Sequence, residues 1–240
     1  MTYNLFTPVY WDGSSIIFWA AHYGYTEIVK VLVTLTNTPN APNNYGDTPI
    51  HEAVKKGHTE IVKILIPVTE NTNTPNYFGQ TPIFKAAQYG RTEILKILAP
   101  LTDNPNAPNK YGLTPIYEAA DNGFTEFVKI LAPLTDNPNA PNKWGNTPIY
   151  NAAIVGHTEI VKILVPLSDN PNSANDDGKT PIYEAACERH TEIVKILAPL
   201  TDNPNATTIN GKTPIDCAKD FVKILESFQT SKKCNTDYKK

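Results

Sequence analysis

Residues 112–131 read Gly-Leu-Thr-Pro-Ile-Tyr-Glu-Ala-Ala-Asp-Asn-Gly-Phe-Thr-Glu-Phe-Val-Lys-Ile-Leu, and this stretch decides the fold. Threonine followed by proline is a typical helix start, because the threonine oxygen caps exposed amides and proline lacks the amide that would stay unpaired. Gly123 permits a tight turn, and the apolar residues after it have the spacing of a second helix. Pro133 disfavours helical geometry at the residue before it, so we expect the second helix to end near Leu131 or Ala132.

The same pattern recurs every 33 residues along the chain of 240 residues. Seven glycines mark the repeat starts, at Gly13, Gly46, Gly79, Gly112, Gly145, Gly178 and Gly211. All of the 21 prolines except Pro8 occupy columns of the same period. A fixed period of this length indicates a stacked-repeat solenoid, in which each unit buries its apolar face against its neighbours.

Between the helix pairs the sequence is rich in asparagine and proline, which predicts an extended finger with a tight reversal near residues 143–145. The whole pattern, Gly-x-Thr-Pro-Ile-x-x-Ala-Ala-x-x-Gly-x-Thr-Glu-Ile-Val-Lys-Ile-Leu, resembles the ankyrin repeat from about Thr7 to Ser227. The resemblance implies an all-α repeat solenoid, a stack of helix-turn-helix units with β-hairpin-like fingers. We expect about seven repeats, including two atypical caps, in a single domain over residues 1–229, followed by a disordered basic tail over 230–240.

Two substitutions depart from the repeat pattern. Arg189 stands where the inter-helix glycine would recur, so we expect a non-glycine residue in left-handed geometry there. His51 alone keeps the histidine of the family's Thr-Pro-Leu-His motif, so the family's Thr–His hydrogen bond cannot be general in this chain.

No motif of an enzyme is present, neither a nucleotide-binding loop nor a metal-protease helix nor a nucleophile–base pair. We therefore expect a non-catalytic protein without a cofactor. Cys187, Cys217 and Cys234 follow no disulfide framework, and we interpret them as free thiols in a reducing compartment. A metal site built from Cys187, His190 and Cys217 is the alternative interpretation, and we expect no metal.

Nucleic acid and membrane are both disfavoured as partners. A column of lysines could track phosphates, but a glutamate precedes each of the first six by three residues, and the net charge is −3. No apolar run reaches the length of a membrane span. We expect a monomer in the cytoplasm or the nucleus.

A column of finger asparagines recurs at the same period, and we expect these side chains to satisfy local backbone groups and to tie neighbouring fingers together. Its members are Asn40, Asn73, Asn106, Asn139, Asn172 and Asn205.

In the ankyrin family, partners dock in a concave groove made of finger tips and first helices. Carried over by register, this implies a protein or peptide partner in a groove centred on repeats two to five. The residues assigned to it are Trp19, Tyr23, Tyr45, Tyr77, Phe78, Tyr89, Lys110, Tyr111, Lys143, Trp144, Ile154 and Val155. Aromatic residues at turn tips are typical binding anchors. Two alternatives stay open: each ring packs on the next finger and stiffens the array, or the chain is a structural spacer or scaffold segment of a larger protein.

Overall fold

The computed structural model of the chain describes residues 11–217. The chain falls into two compact units, Met1–Glu118 and Ala119–Lys240, which we call unit 1 and unit 2. The single repeat domain expected over residues 1–229 remains a prediction. The expected basic tail over 230–240 and the second half of the C-terminal cap lie outside the described residues.

Both units consist of short helix pairs, and residues 11–217 contain no β-strand. Unit 1 holds α1 (Ile16–Tyr23), α2 (Thr26–Leu35), α3 (Pro49–Lys56), α4 (Thr59–Leu65), α5 (Pro82–Gln88) and α6 (Thr92–Leu98). The next helix, α7 (Pro115–Asp121), begins in unit 1 and ends in unit 2. Unit 2 continues with α8 (Thr125–Leu131), α9 (Pro148–Val155), α10 (Thr158–Leu164), α11 (Pro181–Cys187), α12 (Thr191–Leu197) and α13 (Pro214–Cys217). The predicted all-α repeat fold is confirmed.

The first helix of each pair starts as the Thr-Pro pattern predicts. At α5 the hydroxyl oxygen of Thr81 accepts a hydrogen bond from the amide of Phe84 at 3.1 Å, and Pro82 is the first helical residue. In the first repeat Ser15 replaces threonine, and its hydroxyl oxygen accepts from the amide of Phe18 at 3.2 Å although α1 has no proline. The capping oxygen is therefore sufficient to set the helix start.

The second helices end where proline predicts, but the chain keeps winding for one tighter turn. α8 ends at Leu131, and a 3-10 turn with Pro133 at its centre follows. Residues 11–217 contain five turns of this kind, at Ile66–Val68, Ala99–Leu101, Ala132–Leu134, Val165–Leu167 and Ala198–Leu200. α2 has Thr34 in the proline column and runs as one α-helix of 10 residues. Proline thus converts the last α-helical turn into a 3-10 turn.

Within residues 11–217 each finger reverses direction as a β-hairpin does, but its arms do not form β-strands. In the finger of the second repeat the amide of Gly46 donates to the carbonyl of Asn43 at 2.9 Å, and the amide of Asn43 donates to the carbonyl of Asp47 at 2.9 Å. Gly46 has φ +78°, a conformation that glycine adopts without strain. The predicted reversal at residues 143–145 is likewise a turn.

Small residues on the first helices allow the neighbouring helices to approach closely. In unit 1, α1 packs against α3 and α3 against α5, and Ala20, Ala53 and Ala86 are buried on these helices. In unit 2, α9 packs against α11 and α11 against α13. The second helices add branched residues to the core, and Ile61 and Leu65 are fully buried.

Arg189 adopts the left-handed geometry that its position predicts. Its φ is +63°, and it is the one residue other than glycine with a positive φ among residues 11–217. Within the same part of the chain, no helix is long and apolar enough to cross a bilayer.

Candidate functional site

An asparagine side chain shapes the finger tips of the second to sixth repeats, and it is buried in the second to fifth. In the third repeat the side-chain oxygen of Asn76 accepts hydrogen bonds from the amides of Phe78 and Gln80, both at 2.9 Å. Asn76 is 4% exposed, whereas Phe78 is 47% exposed, so the backbone of the tip is held while its ring meets solvent. Sequence analysis missed this role, although the 33-residue spacing was its signal; the column is Asn43, Asn76, Asn109, Asn142 and Asn175.

The other asparagine column does what its spacing predicts. Each side-chain oxygen accepts a hydrogen bond from the amide ten residues later, at 2.9 to 3.3 Å, from Asn40 to Asn205. The side-chain amide of Asn139 also donates to the hydroxyl of Ser168 at 3.1 Å, in the next finger. These bonds tie each finger to the following first helix and, at Asn139, to the neighbouring finger.

The predicted tip residues of unit 1 are exposed, and hydrogen bonds connect the backbones of successive finger tips. Tyr45, Tyr77, Phe78 and Tyr111 are 44%, 60%, 47% and 50% exposed, and Lys110 is exposed beside them. The amide of Tyr77 donates to the carbonyl of Tyr45 at 3.0 Å, and the amide of Lys110 donates to the carbonyl of Phe78 at 3.0 Å. One backbone hydrogen bond therefore joins each of these fingers to the next.

The rings of Tyr45, Tyr77 and Phe78 make no ring–ring contact within residues 11–217. The ring of Tyr77 instead lies over Gly46, where an added Cβ would come within 2.7 Å of Tyr77 Cδ1. These three rings therefore do not stack on one another, but Tyr77 packs on the neighbouring finger, as the alternative explanation for the tip aromatics supposes.

The predicted first-helix residues of unit 1 form part of an aromatic stack. Tyr23 is 59% exposed, and its ring stacks on half-buried Trp19 with centroids 5.9 Å apart. Tyr23 also stacks on Tyr25 at 5.8 Å. Tyr25 is 54% exposed and was missed by sequence analysis, because it lies in the inter-helix turn outside the columns assigned to the groove. Tyr89, on the third repeat, is 40% exposed.

In unit 2 three of the four predicted residues are exposed. Lys143 is exposed, Trp144 is 52% exposed, and Val155 is 46% exposed. Ile154 was expected to be exposed and is half-buried, which corrects the expectation. It is the last residue but one of α9, which packs against α11.

Neighbouring first helices are linked by side-chain contacts between residues that are 30 apart in the sequence. In unit 1, Nδ1 of His22 lies 2.8 Å from Oε1 of Glu52. In unit 2, the side-chain amide of Asn151 donates to Oδ1 of Asp121 at 2.5 Å. The last turn of one first helix therefore contacts the middle of the next first helix within each unit.

Cys187 and Cys217 have the same separation of 30 residues and form a disulfide. The expectation that these two cysteines are free thiols outside any disulfide framework is therefore wrong. The packing of α11 against α13 brings their Cα atoms to 4.8 Å, within the span that a disulfide bridges. Cys234 lies outside the described residues. Nε2 of His190, the third group considered as a metal ligand, lies 3.0 Å from the carbonyl of Ile154.

Charged side chains near the fingers are paired differently in the two units. In unit 1, Lys85 donates to the side-chain oxygen of Gln80 at 2.6 Å, and burial lowers its pKa. In unit 2, Nζ of Lys179 lies 2.9 Å from Oε1 of Glu184, and this hydrogen bond raises the pKa of Lys179. Residues 11–217 contain no cluster of three or more side chains suited to hold a metal ion.

The lysine column of the second helices is neutralised as predicted. Each lysine lies 2.6 to 4.0 Å from the glutamate three residues before it, in the pairs Glu27–Lys30, Glu60–Lys63, Glu93–Lys96, Glu126–Lys129, Glu159–Lys162 and Glu192–Lys195. Opposite charges at this spacing compensate one another on an exposed helix face.

Comparison with known proteins agrees with the repeat geometry. A family model described as ankyrin repeats (3 copies) matches residues 3–76, 67–142 and 134–208. No curated protein matches the chain. The count of about seven repeats remains a prediction, because the seventh extends beyond residue 217. The three matches span most of the sequence, and each covers helix pairs joined by the fingers described above: the chain belongs to the ankyrin repeat family.

Proposed function

We propose that the chain is a non-catalytic interaction module that binds a protein or peptide partner through its finger tips and first helices. Ankyrin repeats are generally protein–protein interaction modules, which supports this class of function. The observation that carries the proposal for this chain is the row of exposed rings at the tips of unit 1, formed by Tyr45, Tyr77, Phe78 and Tyr111.

These rings offer apolar area that a partner can cover. An aromatic side chain buries 150–250 Å² when it is fully covered, so a half-exposed ring leaves roughly 100 Å² to a partner. At about 25 cal/mol per Å², covering one such ring contributes on the order of 2 kcal/mol. Tyrosine also carries a hydroxyl that donates and accepts hydrogen bonds, so the row suits a surface with both apolar and polar groups.

The tips are ordered before a partner arrives. The paired hydrogen bonds from the asparagine column hold each tip backbone, as Asn76 does for Phe78. Backbone hydrogen bonds between successive fingers hold the spacing of Tyr45 and Tyr77. A partner therefore orders little main chain on binding, which lowers the entropic cost of association.

The proposal is tested by affinity capture from the source cell with three versions of the full chain. The tip variant carries Tyr45→Ala and Phe78→Ala. The matched control carries Val68→Ala and Leu101→Ala, which remove side chains that are 37% and 49% exposed on the 3-10 turns. We expect a protein that the wild-type chain and the control retain and that the tip variant loses, with unchanged circular dichroism.

A tip variant that stays folded and retains the same proteins as the control would contradict the proposal. That outcome would favour the spacer function, in which shortening the array, and not changing its tips, disrupts assembly.

A further inference from the structure

The contact between α11 and α13 differs from the corresponding contact between α9 and α11. In the fifth and sixth repeats, the hydroxyl of Tyr150 donates to Oε1 of Glu184 at 2.7 Å, and this bond links α9 to α11. One repeat later Cys217 takes the position of Glu184, and its Sγ lies 3.2 Å from the hydroxyl oxygen of Tyr183. The carboxylate that joins two first helices is thus replaced by a cysteine where α11 meets α13.

The disulfide lies at a position where other pairs of first helices make a noncovalent contact. His22–Glu52 and Asp121–Asn151 join first helices at a separation of 30 residues by polar contacts. Cys187 and Cys217 have the same separation of 30. Each of these pairs sits at the last turn of one helix and the middle column of the next. The thiols are therefore brought together by the repeat geometry itself, whether or not they are bonded.

The pair is within reach of small reagents. Cys217 is exposed and Cys187 is half-buried. The finger that leads into α13 is tied to the preceding finger by noncovalent contacts, such as the hydrogen bond from the amide of Ile209 to the carbonyl of Asp177 at 3.1 Å.

We propose that Cys187 and Cys217 are a redox-modification site, a thiol pair whose oxidation clamps α13 onto α11 and whose reduction releases the clamp. The oxidant is a small disulfide such as oxidised glutathione. The Cys217 thiolate attacks one sulfur of the oxidant and expels one glutathione thiolate, forming a mixed disulfide. The Cys187 thiolate then attacks Sγ of Cys217 and expels the second glutathione. Two protein thiols and one glutathione disulfide become one protein disulfide and two glutathione thiols.

The clamp acts on the stability of the contact between α11 and α13. A crosslink limits the freedom of the opened segment, so closing it disfavours states in which α13 leaves α11. The remaining helix pairs make their contacts without it. Oxidation is therefore expected to slow the separation of α13 from α11, with a smaller effect on α9 and α10.

The test equilibrates the full chain in glutathione buffers of rising oxidised fraction. Free thiols are then trapped with N-ethylmaleimide, followed by peptide mass spectrometry and by hydrogen exchange. We expect a peptide pair linked through Cys187 and Cys217, with the loss of two hydrogen atoms. We also expect exchange of the α13 amides to slow about tenfold or more, and dithiothreitol to reverse both changes.

Two variants separate this pair from the third cysteine. Cys234→Ser is expected to behave as the wild-type chain does, whereas Cys217→Ser shows no redox-dependent change of exchange at α13. The proposal is overturned if Cys187 and Cys217 both stay trappable in oxidising buffer. It is also overturned if Cys187 links to Cys234, or if α13 exchanges at the same rate in the oxidised and reduced chains.

Discussion

At the scale of single residues, the inter-helix glycines are required by a neighbouring side chain as well as by their backbone. Gly156 has φ +92°, and an added Cβ would lie 2.5 Å from Cε1 of His190. The same imidazole donates through Nε2 to the carbonyl of Ile154 and so satisfies an oxygen near the end of α9. His58 and His157 lie over Gly24 and Gly123 in the same way.

Arg189 is the exception, and its replacement tests the cost of the left-handed backbone. The sequence of the seventh repeat lacks the inter-helix residues among which this histidine occurs in other repeats. We predict that Arg189→Gly raises the free energy of unfolding by about 1 kcal/mol, because the φ of +63° is then unstrained. Urea denaturation measures the change.

The matched control is Gly156→Ala, which should lower the unfolding midpoint, since both the backbone conformation and the ring of His190 oppose a Cβ there. An unchanged or lower midpoint for Arg189→Gly would show that the left-handed geometry carries no cost at this site.

At the scale of elements, the prolines act through the local backbone and their effect can be compared within one chain. α2 lacks the helix-ending proline and has 10 residues, whereas α4 has seven and passes into the 3-10 turn Ile66–Val68. A different proline column begins the finger turns, at Pro39, Pro105, Pro138, Pro171 and Pro204. Thr72 occupies this position in the third finger.

Thr72→Pro is predicted to stabilise the finger by about 1 kcal/mol, because proline restricts the unfolded chain where the native turn already accepts it. Thr72 is 7% exposed, and its hydroxyl has no hydrogen-bond partner among residues 11–217. Both Thr72→Pro and Thr72→Val remove the buried hydroxyl, but only proline also restricts the backbone. Comparing the thermal unfolding of the two variants therefore separates the effect of the hydroxyl from the effect of the ring. A lower midpoint for the proline variant than for the valine variant would mean that this turn differs from its five counterparts.

At the scale of the whole molecule, one buried histidine couples stability to pH. Nδ1 of His51 accepts a hydrogen bond from the amide of Thr48 at 3.2 Å, and its Nε2 donates to the carbonyl of Gln80 at 3.1 Å. Protonation of Nδ1 would disrupt the first bond, and burial opposes the charge. Burial lowers the pKa of His51 to about 4.

We predict that acid destabilises the chain through His51 between about pH 6.5, the ordinary pKa of histidine, and about pH 4. In this window the unfolded chain binds more protons than the folded chain, so the free energy of unfolding falls as the pH falls. The fall is on the order of 3 kcal/mol, at about 1.4 kcal/mol for each unit of pKa difference. Denaturant titrations at several pH values measure it.

His51→Phe is the control, because Phe18 and Phe84 fill the same position in neighbouring repeats and are buried. Its unfolding free energy should depend less on pH over this window. Parallel pH profiles for the two chains would mean that His51 does not couple stability to pH.

The features that the sequence predicted are those that depend on a few adjacent residues. The Thr81 cap, the end of α8 before Pro133 and the left-handed geometry of Arg189 each follow from the backbone preferences of one or two residues. The positions of the tip aromatics followed from the register of the finger glycines. The exposure of Tyr25 and the partial burial of Ile154 depend instead on which neighbouring side chains cover them.

The amino-acid sequence by itself determined the period, the helix boundaries and the residues at each tip, because these depend on contacts between residues close in the chain or on exact repetition. Only the tertiary structure decided the register between neighbouring first helices. Packing sets the last turn of one helix against the middle of the next, so the residues that meet at this point are 30 apart and not 33. That offset brings Cys187 to Cys217 and His22 to Glu52.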